Sequence, residues 1–102
     1  MDLAQARQDI VTASHILHRQ GIAAAFGHVS ARIPGTNSFL FPPRMSPALV
    51  REDNLLVLDV DGNQLSGEGR PNTEFCIHAR IYKARPDVLA VSHVHPPCCL
   101  VL

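Results

Sequence analysis

Two imidazoles one residue apart, in His93-Val94-His95, are the residues most able to do chemistry in this chain. They end a strand-like stretch from Val88 to His95 that Pro96 and Pro97 close. Side chains at i and i+2 of a strand leave the same face, so both rings can converge on one point. A divalent cation wants that arrangement, because neutral imidazole nitrogens bind zinc at about 2.0–2.1 Å. Two ligands are too few for a stable site, and the spacing is served as well by a pair of half-buried strand histidines. Glu74 can supply a carboxylate: it begins the second predicted helix, where the N-terminal dipole stabilises negative charge. The helix and turn after it can return the chain so that His93 lies beside Glu74; an exposed first-turn glutamate fits the same pattern. His78, one turn further along the same helix face, could pair with Glu74 at a metal, but its deeper position suits a packing or hydrogen-bonding histidine.

These residues need elements to carry them. Residues 3 to 19 read as an amphipathic helix, with Leu3, Ala6, Ile10, Ala13 and Leu17 at helical spacing, Asp2 as the cap and Gly21 as the stop. His15 and His18 fall in its last turns, where a cation complements the dipole, and read as ordinary helix residues. From Gly27 the period switches toward two. Val29 to Ile33 is a predicted strand, Pro34-Gly35-Thr36-Asn37 a turn, and Ser38 to Phe41 a second strand stopped by Pro42-Pro43. Leu55 to Val60 is a third strand, with Asp61-Gly62-Asn63 turning it into Gln64-Leu65. Ser66 to Pro71 is loop, and Asn72-Thr73 opens a helix through about Ala84 that buries Phe75, Ala79 and Tyr82. Pro86-Asp87 turns the chain into the His93 strand. A helix, a hairpin-rich sheet, a helix and a strand make a layered α/β sandwich.

Composition excludes several function classes. Nine basic residues balance nine acidic ones without a basic run, so there is no electrostatic footprint for nucleic acid or an anionic membrane. No apolar stretch reaches the roughly 18 residues of a membrane span, and Met1 to Gln5 has neither a basic nor an apolar leader region. A cytoplasmic protein is expected. Of three cysteines, Cys98 and Cys99 are adjacent and read as small apolar core residues, with soft metal ligands as the alternative. The run Cys99-Leu100-Val101-Leu102 stops without a cap or polar tail, so the chain is expected to be the N-terminal part of a longer fold.

Three segments taken together, Gly27-His28-Val29-Ser30-Ala31-Arg32, Asn72-Thr73-Glu74, and Arg85-Pro86-Asp87 through His93-Val94-His95, resemble the class II aldolase/adducin family in order and spacing. The family is typified by L-fuculose-phosphate aldolase and L-ribulose-phosphate 4-epimerase. The resemblance implies a three-layer α/β/α sandwich around a mixed, largely antiparallel sheet, with residues 1–102 the N-terminal part of one domain. It also implies a homotetramer with sites between subunits. A metal, normally zinc (Mn2+ and Co2+ are alternatives), would be held by His93, His95 and a third histidine beyond Leu102. Glu74 matches the family's acid/base glutamate, which also touches the metal when substrate is absent. The metal would stabilise an enediolate or enolate formed by bond cleavage beside a carbonyl. The substrate would be a small molecule.

Departures from the family pattern bear on that substrate. His28 stands where the aldolases carry asparagine, and Phe41-Pro42-Pro43-Arg44 replaces a Thr-Pro-Thr-Gly-like phosphate loop. Prolines lack the backbone donors that cradle a phosphate. His28 and Arg44 suit a planar carboxylate, which a guanidinium can fork onto, although Arg44 reads equally as a solvated loop residue. Asn72 and Thr73 keep polar groups where the aldolases place serines. The expectation is a metal-dependent lyase, aldolase or decarboxylase, tilted toward a carboxylate substrate, with the epimerase reaction open through the same enolate. A non-catalytic adducin-like scaffold and an inactive truncated product compete with it. Glu74, His93 and His95 occurring together weigh against the scaffold. With two histidine ligands, the isolated 102 residues are expected to turn over weakly or not at all.

Overall fold

The computed structural model describes residues 2–21 and 27–95. The proline pair 96–97 and the cysteines 98 and 99 therefore lie outside the described residues, and so does the apolar run that follows them.

Helix α1 spans Leu3–Arg19. Asp2 caps it by accepting a 2.7 Å hydrogen bond from the Gln5 amide, which satisfies one of the helix's orphan donors. At the other end Gly21 adopts φ +69°, and its amide donates back to the His18 carbonyl at 3.1 Å. The docked face is the i, i+4, i+8 row of Ala6, Ile10 and Ser14. Leu3, expected on that face, is 42% exposed, while Ala13 and Leu17 flank the row half-buried. His15 ties the helix to the following loop by donating from Nε2 to the Val50 carbonyl at 2.9 Å.

Five strands follow: β1 (His28–Arg32), β2 (Ser38–Phe41), β3 (Leu56–Asp59), β4 (Gln64–Ser66) and β5 (Ala90–His93), with helix α2 (Phe75–Ala84) before the last. They form one sheet in the order β4-β3-β2-β1-β5, and every pairing among the described residues is antiparallel. Asp59 builds the β3–β4 turn by accepting from the amides of Asp61 and Asn63 at 3.0 and 2.9 Å. Gly67 follows β4 at φ +97°, where a Cβ would stand 2.7 Å from Leu56 Cδ2, so backbone conformation and close approach both require glycine.

Alternation along the strands sorts the core into two layers. On one face Ala31, Leu40, Val50 and Leu55 pack with Ala6 and Ile10 of α1. On the other Phe39, Phe41, Leu56 and Leu58 pack with Ala79 and Tyr82 of α2. Phe39-Leu40-Phe41 shows the period-two switch directly, its rings facing α2 and its leucine facing α1. The expected three-layer α/β/α order is present.

Candidate active site

The site is built where β1 begins, β5 ends and α2 starts. His28 opens β1 and is paired in register with His93, the last residue of β5. Directly opposed residues of an antiparallel pair put their side chains on the same face, and the two ring centroids stand 4.8 Å apart. Among the described residues β5 is shorter than the stretch from Val88 to His95, running from Ala90 to His93, whose pairing with His28 is the last of the ladder. His95 nevertheless stays beside His93, ring centroids 4.8 Å apart.

Glu74 lies across from these histidines as the residue that caps α2. The helix starts at Phe75, directly after Glu74, and the Asn72-Thr73 pair expected to open it lies outside it. The reason is local: the Asn72 side chain accepts from the Glu74 amide at 2.8 Å, and the Phe75 amide donates to the Asn72 carbonyl at 3.0 Å. Asn72 and Thr73 thus form a turn, not a helical one, and Asn72 spends its side-chain oxygen on placing Glu74. Thr73 is exposed beside it.

Glu74 reaches both histidines. Its Oε1 is 3.5 Å from His28 Nε2 and its Oε2 is 3.8 Å from His93 Nδ1. One ligand atom from each of His28, Glu74 and His93 falls within 4.8 Å of the others. His28 Nε2 is buried and has no hydrogen-bond partner among the described residues, and it points into this group. Imidazole nitrogens with a carboxylate are the donor set that zinc, manganese or cobalt accept, so these residues fit a divalent cation. His28, Glu74 and His93 could each contribute a ligand atom from this arrangement; His95, expected to pair with His93 at a metal, stands beside His93 without joining the group. Arg44 is placed elsewhere. It is exposed and lines a separate cleft with Arg51, Asp53, Glu68 and Arg70.

Behind His28 lies a polar layer that the sequence foretold only in part, through a hydrogen-bonding His78 and a buried Tyr82. His28, Ser30 and Arg32 share the α2 face of β1 and are all buried. His28 Nδ1 lies 2.7 Å from His78 Nε2, Ser30 Oγ lies 2.6 Å from His78 Nδ1, and Ser30 Oγ lies 2.7 Å from the Tyr82 hydroxyl. His78 is thus a hydrogen-bonding core histidine, fully buried. Burial, reinforced by His28 and His93, pushes its pKa down to about 3. Burial likewise lowers the pKa of His28, a shift opposed by the Glu74 carboxylate. Both rings are neutral at pH 7. Burial raises the Tyr82 phenol to about 12, against the opposing pull of Ser30 and Arg32. Arg32 donates to the carbonyls of Tyr82, Arg85 and Val88 at 2.8, 3.2 and 3.0 Å, and its guanidinium stands 4.9 Å from the centre of the Tyr82 ring. A cation at the last turn of α2 is well placed against the helix dipole.

With the glutamate-and-histidine cluster in place, comparison with known proteins is decisive. The sequence profile of the class II aldolase and adducin N-terminal domain matches residues 8–102. The chain belongs to the class II aldolase/adducin family. It is 35% identical over 104 residues to 3,4-dihydroxyphthalate decarboxylase of Arthrobacter keyseri, covering 92% of this chain and 42% of that protein. It is 30% identical over 103 residues to methylthioribulose-1-phosphate dehydratase of Pseudomonas savastanoi pv. phaseolicola, covering 100% of this chain and 50% of that protein. Among solved structures, an L-fuculose 1-phosphate aldolase superposes with a TM-score of 0.88 at 23% identity, over 100% of this chain and 49% of that one, which establishes the shared fold. The chain therefore spans about half the length of the relatives it matches. Those relatives are lyases of three kinds: decarboxylase, dehydratase and aldolase. No helix among the described residues is long and apolar enough to cross a membrane.

Proposed function

We propose that the full-length protein is a divalent-metal-dependent lyase, acting in the cytoplasm as a homotetramer, that removes carbon dioxide from a hydroxylated carboxylic acid. The observation that carries this reading is the Glu74 carboxylate, with one oxygen 3.5 Å from His28 and the other 3.8 Å from His93. His93 and His95, with a further histidine that the family resemblance puts beyond Leu102, and with Glu74 while substrate is absent, would hold zinc or another divalent cation, which when bound supplies a Lewis acid for a substrate carbonyl or hydroxyl. The residues of this chain do the rest. In a decarboxylation the bond between substrate carbon and carboxylate breaks, and its electron pair stays on carbon. Glu74 in its protonated form delivers the proton that carbon needs and regains one from water. His28 and Thr73 contact substrate oxygens, and Asn72 keeps Glu74 in place. Arg44 meets the substrate carboxylate only if the rest of the protein brings its cleft toward the cluster.

Two observations favour a carboxylate over a sugar phosphate. Pro42 and Pro43 remove backbone donors from the segment where the aldolases bind phosphate, and the Arthrobacter relative is a decarboxylase of an aromatic acid. The deciding experiment is turnover by the metal-loaded full-length protein on hydroxy-aromatic acids and, in parallel, on sugar phosphates. Carbon dioxide release from the first panel is expected. Turnover confined to the sugar phosphates would replace decarboxylation with aldol cleavage or epimerisation. Inactivity on both panels, with no bound metal, would favour the adducin-like scaffold.

A further inference from the structure

Tyr82, Ser30, His78 and His28 form one continuous line of polar atoms beneath α2. The links are 2.7, 2.6 and 2.7 Å long, and the four residues are 1, 0, 0 and 3% exposed. Each group is neutral and carries one proton to donate, so three links consume three protons and leave one over. The direction of the line decides where the fourth proton points.

If His28 donates toward His78, His78 toward Ser30 and Ser30 toward Tyr82, the phenol proton is left over. Among the described residues, the Tyr82 hydroxyl has no hydrogen-bond acceptor other than Ser30 Oγ. If the direction changes part-way, Ser30 accepts twice and its own proton is stranded; its oxygen has no partners among the described residues beyond His78 and Tyr82. In the remaining arrangement Tyr82 donates to Ser30, Ser30 donates to His78 Nδ1, and His78 Nε2–H donates to His28 Nδ1. The proton left over then sits on His28 Nε2, facing Glu74 Oε1. That direction alone sets the leftover donor beside a carboxylate, 3.5 Å away, whereas the other two strand it among the helix and sheet, a difference worth roughly tenfold or more in population.

We propose that Tyr82, Ser30 and His78 are positioning residues that hold His28 as its Nε2–H tautomer, so that His28 meets the site as a hydrogen-bond donor to an anionic substrate oxygen and not as a metal ligand. The identity of the acceptor, a carboxylate oxygen of the substrate, rests on the lyase reading above; the tautomer does not. A metal-ligating histidine must offer a lone pair, and a strand of hydroxyls and rings running from Tyr82 denies His28 that lone pair. The cation is then left to the other histidines, with Glu74 beside it while substrate is absent.

The test is long-range proton–nitrogen NMR of the histidine rings in the full chain, metal-free and at neutral pH. Wild type is expected to show His28 Nε2 as the protonated nitrogen, by roughly tenfold or more over the other tautomer. Tyr82→Phe removes the donor that starts the line and Ser30→Ala cuts it, and in either variant the preference is expected to fall several-fold. A wild-type His28 protonated on Nδ1 would overturn the proposal, and so would a preference unchanged in both variants. Metal stoichiometry provides an independent readout if a variant fails to fold. His28→Gln is expected to retain the metal content of wild type, with a raised KM for the carboxylate substrate, whereas His93→Ala loses the metal. Loss of metal from His28→Gln to the extent seen in His93→Ala would make His28 a ligand and end the proposal. A wild-type protein that takes up no metal at all, yet shows the Nε2–H ring, would sink the lyase reading and leave the tautomer assignment standing.

Discussion

One helix, α2, covers two different halves of the same sheet face. Over β2 and β3 it meets Phe39, Phe41, Leu56 and Leu58. Over β1 it meets His28, Ser30 and Arg32, and its cap residue Glu74 reaches His93 of β5. The first half is held by area removed from water and needs nothing more specific than volume and shape. The second buries polar atoms, and each must find a partner or cost about 1–3 kcal/mol. Its partners come from within: two imidazoles, a hydroxyl and a phenol satisfy one another, and a guanidinium takes the carbonyls at the end of α2. Among the described residues one atom of this layer, His28 Nε2, is left without a hydrogen-bond partner, and it faces Glu74. A buried polar layer complete except where it touches a carboxylate is organised for chemistry, not for stability alone.

Substitutions should separate the halves. The largest effect is expected from Glu74→Gln in the full-length protein: turnover falls by about 10²–10⁴, the range for loss of a general acid or base, while bound metal and denaturation midpoint hold. A comparable loss of stability would assign Glu74 to the framework instead. Phe39→Ala should do the reverse, lowering unfolding free energy by about 3–5 kcal/mol in a denaturant titration and leaving kcat per folded molecule unchanged.

The pH dependence of stability sharpens the contrast further. His78 has a pKa of about 3 in the folded protein against 6.5 unfolded, so the unfolded chain binds the extra proton between those values. The contribution is therefore fully present above about pH 6.5 and is lost as pH falls toward about 3, a few kcal/mol in all (order of magnitude). Denaturation midpoints of the wild type and His78→Phe across that range should differ in slope, the variant being flatter; parallel slopes would deny His78 a part. The smallest effect is expected far from both halves, at the exposed Lys83–Asp61 pair, 3.0 Å apart. Lys83→Met should change stability by no more than about 1 kcal/mol.

Local signals in the chain carried much of this. The bounds of α1 and β2 match the periodicity, because the Asp2 cap, Gly21 and the Pro42-Pro43 stop are all short-range signals. The family motifs likewise foretold the layer order and brought Glu74 to His93. What local patterns could not carry was pairing across the fold. His28, Ser30 and Arg32 alternate on one strand and His78 and Tyr82 are four apart on one helix face, so each set was visible, but nothing in the pattern says that the two sets touch. Arg44 shows the converse: its chemistry suits a carboxylate, yet the Pro43–Pro71 bridge and the loop beyond it leave it lining another cleft. The start of α2 moved for a similar reason, since the Asn72 side chain competes with the helix for the Glu74 amide.

Arg32 and His28 occupy opposite ends of the five-residue β1, and both are fastened to α2, one through the carbonyls of its final turn and the other through His78. Strand and helix are thereby pinned at two points, like a hinge leaf held by two screws. Sliding the helix along its axis would have to break both fastenings together, so the gap between Glu74 and the imidazoles is set by rigid carpentry, with the Asn72 turn as its last joint.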